Sequence, residues 1–123
     1  MNSRLATVSV LMLGLLLMLE AHAQPPTNVQ IEVNVLLGFV GNSGCAFYRN
    51  GTWHDSKTAQ THLRDKYNYL AARNLINTTE DFIELAGTKS NLSGKPYEAR
   101  CKGGATVTSK QWLRDELVRI RAF

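Results

Sequence analysis

Apolar and polar positions recur along this chain with several different periods, and each period predicts an element. The first is an apolar run from Leu5 to Leu19, preceded by Arg4 and followed by Ala21-His22-Ala23. A positive start, an apolar middle and a small-x-small end are the parts of a secretory signal peptide, so residues 1–23 are expected to direct export and to be cleaved. The run falls short of the roughly 18 to 20 apolar residues that a membrane span needs, and Glu20 and His22 close it. Residues 24–123 then suffice for one small globular domain and not for two.

Two periods compete over Val29 to Val40. Val29, Ile31, Val33 and Val35 alternate as in a strand, while Ile31, Val35, Leu36, Phe39 and Val40 share one helical face. We read a helix, because the run passes Leu36-Leu37 without a breaker and stops at Gly41-Asn42-Ser43-Gly44. Next, Phe47-Tyr48-Arg49 and Thr52-Trp53-His54 flank Asn50-Gly51, a strong hairpin signal, since both turn residues tolerate positive φ. Asp55 and Ser56 are natural caps for a helix to about Asn74, whose inward face is Ala59, Leu63, Tyr67, Leu70 and, at its margin, Asn74. A third helix follows, capped by Thr78, with Glu80-Asp81 in its first turn and Phe82, Ile83 and Ala86 facing inward, ending at Gly87. Thr88 to Pro96 is a polar loop, and Tyr97 to Cys101 a short strand before a Lys102-Gly103-Gly104 turn. Thr108 or Ser109 caps a last helix with an apolar stripe of Trp112, Leu113, Leu117 and Ile120. The predicted class is α+β, mainly α: about four helices with a small β-hairpin.

The two cysteines, Cys45 and Cys101, change this picture. In an oxidising export compartment an even pair is most simply a disulfide, and closing a loop of about 56 residues removes about 4 kcal/mol of unfolded-state entropy. For a domain this small that matters. The net charge of +4 is a mild basic excess without Lys/Arg runs, which argues against nucleic acid; a solvated basic surface explains it, and an anionic envelope component or an envelope protein is the partner it would suit. No membrane association is expected after signal cleavage, and the oligomeric state is not legible.

Five blocks together resemble a known family: Ser43 to Gly51 (SGCAFYRNG), His62 to Tyr67 (HLRDKY), Glu80 to Ile83 (EDFI), Lys89 to Tyr97 (KSNLSGKPY) and Trp112 to Leu117 (WLRDEL). In this order they are similar to the bacterial domain-of-unknown-function family 5329, over nearly all of the mature chain. The resemblance implies a small exported Gram-negative envelope protein, supports a helix for the first segment and assigns no catalytic residue. The chain departs from the family's pattern in its Val-rich opening and at Gly87, where Ala or Ser is expected.

Candidate chemistry concentrates on the second helix. His62, Lys66, Tyr69 and Arg73 follow i, i+4, i+7, i+11, a stripe along the border of the apolar face. Such a stripe suits a carboxylate or phosphate, although an amphipathic helix commonly has such borders for packing alone. Lys95 and Tyr97, on and beside a turn near the disulfide, form the second candidate. Ser93-Gly94-Lys95 lacks the first Gly, the hydroxyl after Lys and the following helix of a phosphate-binding loop. His54-Asp55-Ser56 are adjacent at a junction and point apart, so they form no triad. No metal site, cofactor or catalytic residue is predicted. The leading expectation is a non-enzymatic periplasmic binding module. Two others are an inhibitor or immunity-type protein that occludes a secreted hydrolase through the Lys89 to Tyr97 loop, and a small hydrolase that requires His62, Ser93 and an acid to converge.

Overall fold

The computed structural model describes residues 24–123; the expected signal peptide, residues 1–23, lies outside them. Pro26 has an extended ψ and ends the leader, and its carbonyl accepts from Val29 and Gln30 to start helix α1, Thr27–Asn42. The helical reading of this segment holds, but the face differs. Val29, Val33, Leu36, Leu37 and Val40 are buried, while Ile31 is 59% and Val35 45% exposed. The i, i+4, i+7, i+8, i+11 row is the one that α1 lays against the other three helices. Valine in a helix costs a few tenths of a kcal/mol, whereas burying each such side chain gains about 1.5–3 kcal/mol. Packing therefore overrides the strand-like alternation.

Strands β1 (Ala46–Arg49) and β2 (Thr52–His54) form the expected hairpin, with Asn50 at φ 51° and Gly51 at φ 86° in its turn. Helix α2 (Ser56–Ala71) is capped by Asp55, whose carboxylate accepts from the Thr58 amide at 2.8 Å. It ends earlier than its apolar period suggests, because Asn74 takes a left-handed conformation (φ 59°) and turns the chain away. Helix α3 (Thr79–Ala86) opens with a reciprocal capping box between Thr78 and Asp81. Two further strands, β3 (Glu98–Arg100) and β4 (Val107–Thr108), precede helix α4 (Ser109–Arg121), capped by Thr108. Strand β4 was not legible in the sequence, being two residues long and exposed.

The sheet is antiparallel with order β2-β1-β3-β4. Ala46 pairs with Arg100, so Cys45 and Cys101 sit one step beyond the end of that ladder, and they are bonded. The disulfide thus clasps the two central strands. Phe47 and Ala99, opposite each other, face the helices and are buried with Leu36, Leu63, Phe82 and Leu113. Trp112 joins helices to sheet, stacked on Phe39 with ring centres 4.4 Å apart and edge-on to Phe47 at 5.3 Å. At the opposite end, Arg121 binds Glu32 and Glu80, and Thr79 donates to Glu32 at 2.6 Å, which ties α1, α3 and α4 together.

Candidate functional site

The second helix meets the sheet at Tyr97. Tyr97 lies two residues before Ala99 and shares its inward direction; it is buried, with its hydroxyl brought to the border of α2. There two members of the sequence stripe converge on it. Lys66 Nζ donates to the Tyr97 hydroxyl at 3.1 Å and to the Lys89 carbonyl at 3.2 Å, and His62 Nε2 lies 3.1 Å from the same hydroxyl. An ammonium has only protons to offer, so the Tyr97 oxygen accepts from Lys66; toward His62 it either donates to a bare Nε2 or accepts from Nε2–H on its second lone pair, according to the tautomer. With a cation on the same hydroxyl, a neutral imidazole is the form that fits.

The electrostatics agree. Burial, then the charges of Arg49 and Lys66, lower the His62 pKa to about 4. Burial and Arg49 also lower the Lys66 pKa, and burial raises that of Tyr97. Arg49 acts on all three groups, and sequence reasoning passed it over as a hairpin residue. Its signal was present: Arg49 is two residues after buried Phe47, so strand alternation turns it toward α2 rather than outward.

Arg49 is half-buried and, among the described residues, takes part in neither a side-chain hydrogen bond nor an ion pair. Its isolation belongs to a wider segregation of charge. Every cation of α4 is paired: Lys110 and Arg114 with Glu84, Arg119 with Glu116, Arg121 with Glu32 and Glu80. None of the described Lys or Arg residues ahead of α4 is. The unpaired cations therefore lie on the hairpin, on α2 and just beyond its end, on the loop beyond α3, and on β3 and the turn after it.

Three adjoining depressions meet at His62. A narrow crevice of about 30 Å³ runs inward between Phe47, Ala59, Leu63 and Tyr97, with Arg49 and His62 at its edge. An open groove of about 440 Å³ passes Arg49, Thr58, Thr61 and Asp65. Another of about 340 Å³ continues past Lys66, Tyr69, Leu70 and Asn91.

The structure thus brings His62, Lys66 and Tyr97 together and adds Arg49. Tyr69 borders the groove, but Arg73 lies over its ring, 3.5 Å from the centroid, and donates to its carbonyl at 2.9 Å, so those two form a separate exposed pair. Lys95 is exposed on the Thr88 to Tyr97 loop, its side chain without a hydrogen bond or ion pair among the described residues. Ser93 donates to Asn50 at 2.6 Å while His62 is engaged by Tyr97, so no Ser93–His62 hydrogen bond exists. The described residues contain no group of three or more His, Cys, Asp or Glu able to hold a metal ion.

Fold and site together define a small disulfide-clasped α+β domain with a basic cleft between its second helix and its sheet. The chain belongs to the family of unknown function DUF5329, whose model matches residues 27–121, from the first residue of α1 to the last of α4. It is similar to the uncharacterized protein YfeK of Salmonella typhimurium strain LT2, 35% identical over 85 residues that cover 68% of this chain and 69% of that protein. No solved structure matches it. The disulfide indicates an oxidising compartment, and no helix among the described residues is long and apolar enough to cross a membrane.

Proposed function

We propose that this protein is a non-enzymatic binding module of the Gram-negative periplasm and that its ligand is an anionic envelope component held at Arg49, His62 and Lys66. The export pattern of residues 1–23, the disulfide and the Salmonella relative support the compartment. The observation that carries the ligand reading is Arg49, a half-buried guanidinium beside a second cation and a neutral imidazole, without a carboxylate partner. A cation kept partly from water without a counterion is costly, and an incoming anion removes that cost. The test is titration of the ¹⁵N-labelled domain with inorganic phosphate and with acetate. Shifts should centre on Arg49, His62 and Lys66 and disappear in Arg49→Gln; equal shifts in wild type and variant reject the site.

One observation favours the second reading, an inhibitor of a secreted hydrolase. Leu92 is 94% exposed on a loop braced by Ser90–Lys95 and Ser90–Gly94 backbone bonds and by Ser93 to Asn50. A rigid loop with an apolar tip is a form that enters clefts. Under that reading Leu92→Ser, and not Arg49→Gln, abolishes inhibition of the partner enzyme.

A further inference from the structure

Resting on the anion-site reading above, we infer that the cleft recognises the C-terminal carboxylate of a peptide whose last residue has a small apolar side chain. The three depressions around His62 differ in a way that selects for such a ligand.

Arg49 borders both the narrow crevice and the open groove. A planar guanidinium accepts the two oxygens of a carboxylate side by side, which is its preferred match. Because Arg49 lines the crevice together with Phe47, Ala59, Leu63 and Tyr97, a carboxylate on its guanidinium has apolar walls within reach of the substituent on its adjacent carbon. The crevice, about 30 Å³, is narrow and walled by apolar side chains, so it favours a small apolar group over a long acyl chain or an aromatic ring. Phosphate fits the charge but leaves the apolar crevice unfilled.

The remainder of the ligand must lie in the open grooves, which have room of a different order, about 440 and 340 Å³. Their margins carry Thr58, Thr61 and Asn91, side chains that exchange hydrogen bonds with peptide groups. Beyond Arg49 each groove carries one lysine, Lys57 or Lys66, with Asp65 shared between them, so the path away from the carboxylate is of mixed charge and suits the neutral groups of a peptide. The arrangement is a cationic point, a small apolar socket beside it and a polar track leading away. Those are the requirements of a peptide end, captured by its terminal charge and by its last side chain.

Calorimetric titration of the intact mature domain with three probes tests this: acetyl-Ala-Ala with a free carboxylate, the same dipeptide as its C-terminal amide, and inorganic phosphate. The acid should bind at least about tenfold tighter than the amide, as expected for loss of a charge-assisted pair. Replacing the last Ala by Gly should weaken binding roughly tenfold or more, the worth of a filled methyl socket, and replacing it by Phe should weaken binding as well. Arg49→Lys should lose most of the acid's advantage over the amide. Equal affinity for acid and amide overturns the inference. So does binding of phosphate without binding of the acid, an outcome that leaves the anion site standing. Failure of all three probes overturns both.

Discussion

Lys66 and Tyr97 are 31 residues apart in sequence, and the ammonium of one donates to the hydroxyl of the other at 3.1 Å while lying 5.0 Å from the centre of its ring. This contact joins α2 to the residue that leads into β3. It also places a cation beside His62, whose pKa is lowered to about 4 by burial first and then by the charges of Arg49 and Lys66.

Removing that hydroxyl with Tyr97→Phe leaves a half-buried imidazole nitrogen without its partner and Lys66 with only the Lys89 carbonyl. The expected loss is about 1 kcal/mol of stability, measured by urea unfolding, with the fold retained because the ring remains.

The His62 imidazole should titrate near its pKa of about 4, well below the ordinary 6.5, in a proton NMR titration. The folded-state pKa lies below the unfolded one, so the unfolded chain takes up the proton first as pH falls. The contribution of His62 to stability is therefore complete above pH about 6.5 and is lost between about 6.5 and 4. An anion bound at Arg49 offsets the repulsion that lowers this pKa, so saturating phosphate should raise it; an unchanged value would count against the anion site.

Glu32 behaves as a carboxylate stabiliser. The hydrogen bonds from Arg121 dominate, opposed by partial burial and helped by Thr79, and hold its pKa at about 2 instead of 4.5. Stability from this group is present above pH about 4.5 and fades as pH falls toward 2. Glu32→Gln should cost about 1–2 kcal/mol at neutral pH, solvent access to the network keeping it from more, and should flatten the acid limb of a thermal melting series.

Reduction of the Cys45–Cys101 bond, which closes a separation of 56 residues, should lower unfolding free energy by about 4 kcal/mol. Paired urea curves with and without reductant measure it. Since the bond lies at the end of the β1–β3 ladder, hydrogen exchange should quicken first in those strands.

Gly87 departs from the residue its family resemblance suggests, and the structure explains the departure. A Cβ there would lie 2.6 Å from Leu113 Cδ1, and Leu113 is fully buried. Gly87→Ala should destabilise by about 1–3 kcal/mol through overpacking. The pair Gly87→Ala with Leu113→Val should recover part of that loss if the contact is the cause.

Much of the fold is legible in the chain because it is written locally. Asn50-Gly51 and the Asp55, Thr78 and Thr108 caps each act within a few residues, and each occurs where the sequence places it. The cysteine pair is legible for another reason, since two thiols in an oxidising compartment leave a single intramolecular pairing.

The sequence by itself therefore determined the four helices, the hairpin and β3, their order, their caps and the clasp between them, whereas β4, two exposed residues, came from its pairing with β3. Tertiary structure decided which face of α1 is buried, because Val29/Val33 and Ile31/Val35 are both apolar rows and only the surface of the other helices distinguishes them. It also divided the α2 stripe, drawing His62 and Lys66 to Tyr97 and leaving Tyr69 and Arg73 to each other. Arg49 gained its place beside them from strand alternation and from the packing of a sheet against a helix. Those are distances across the fold, and no spacing along the chain encodes them.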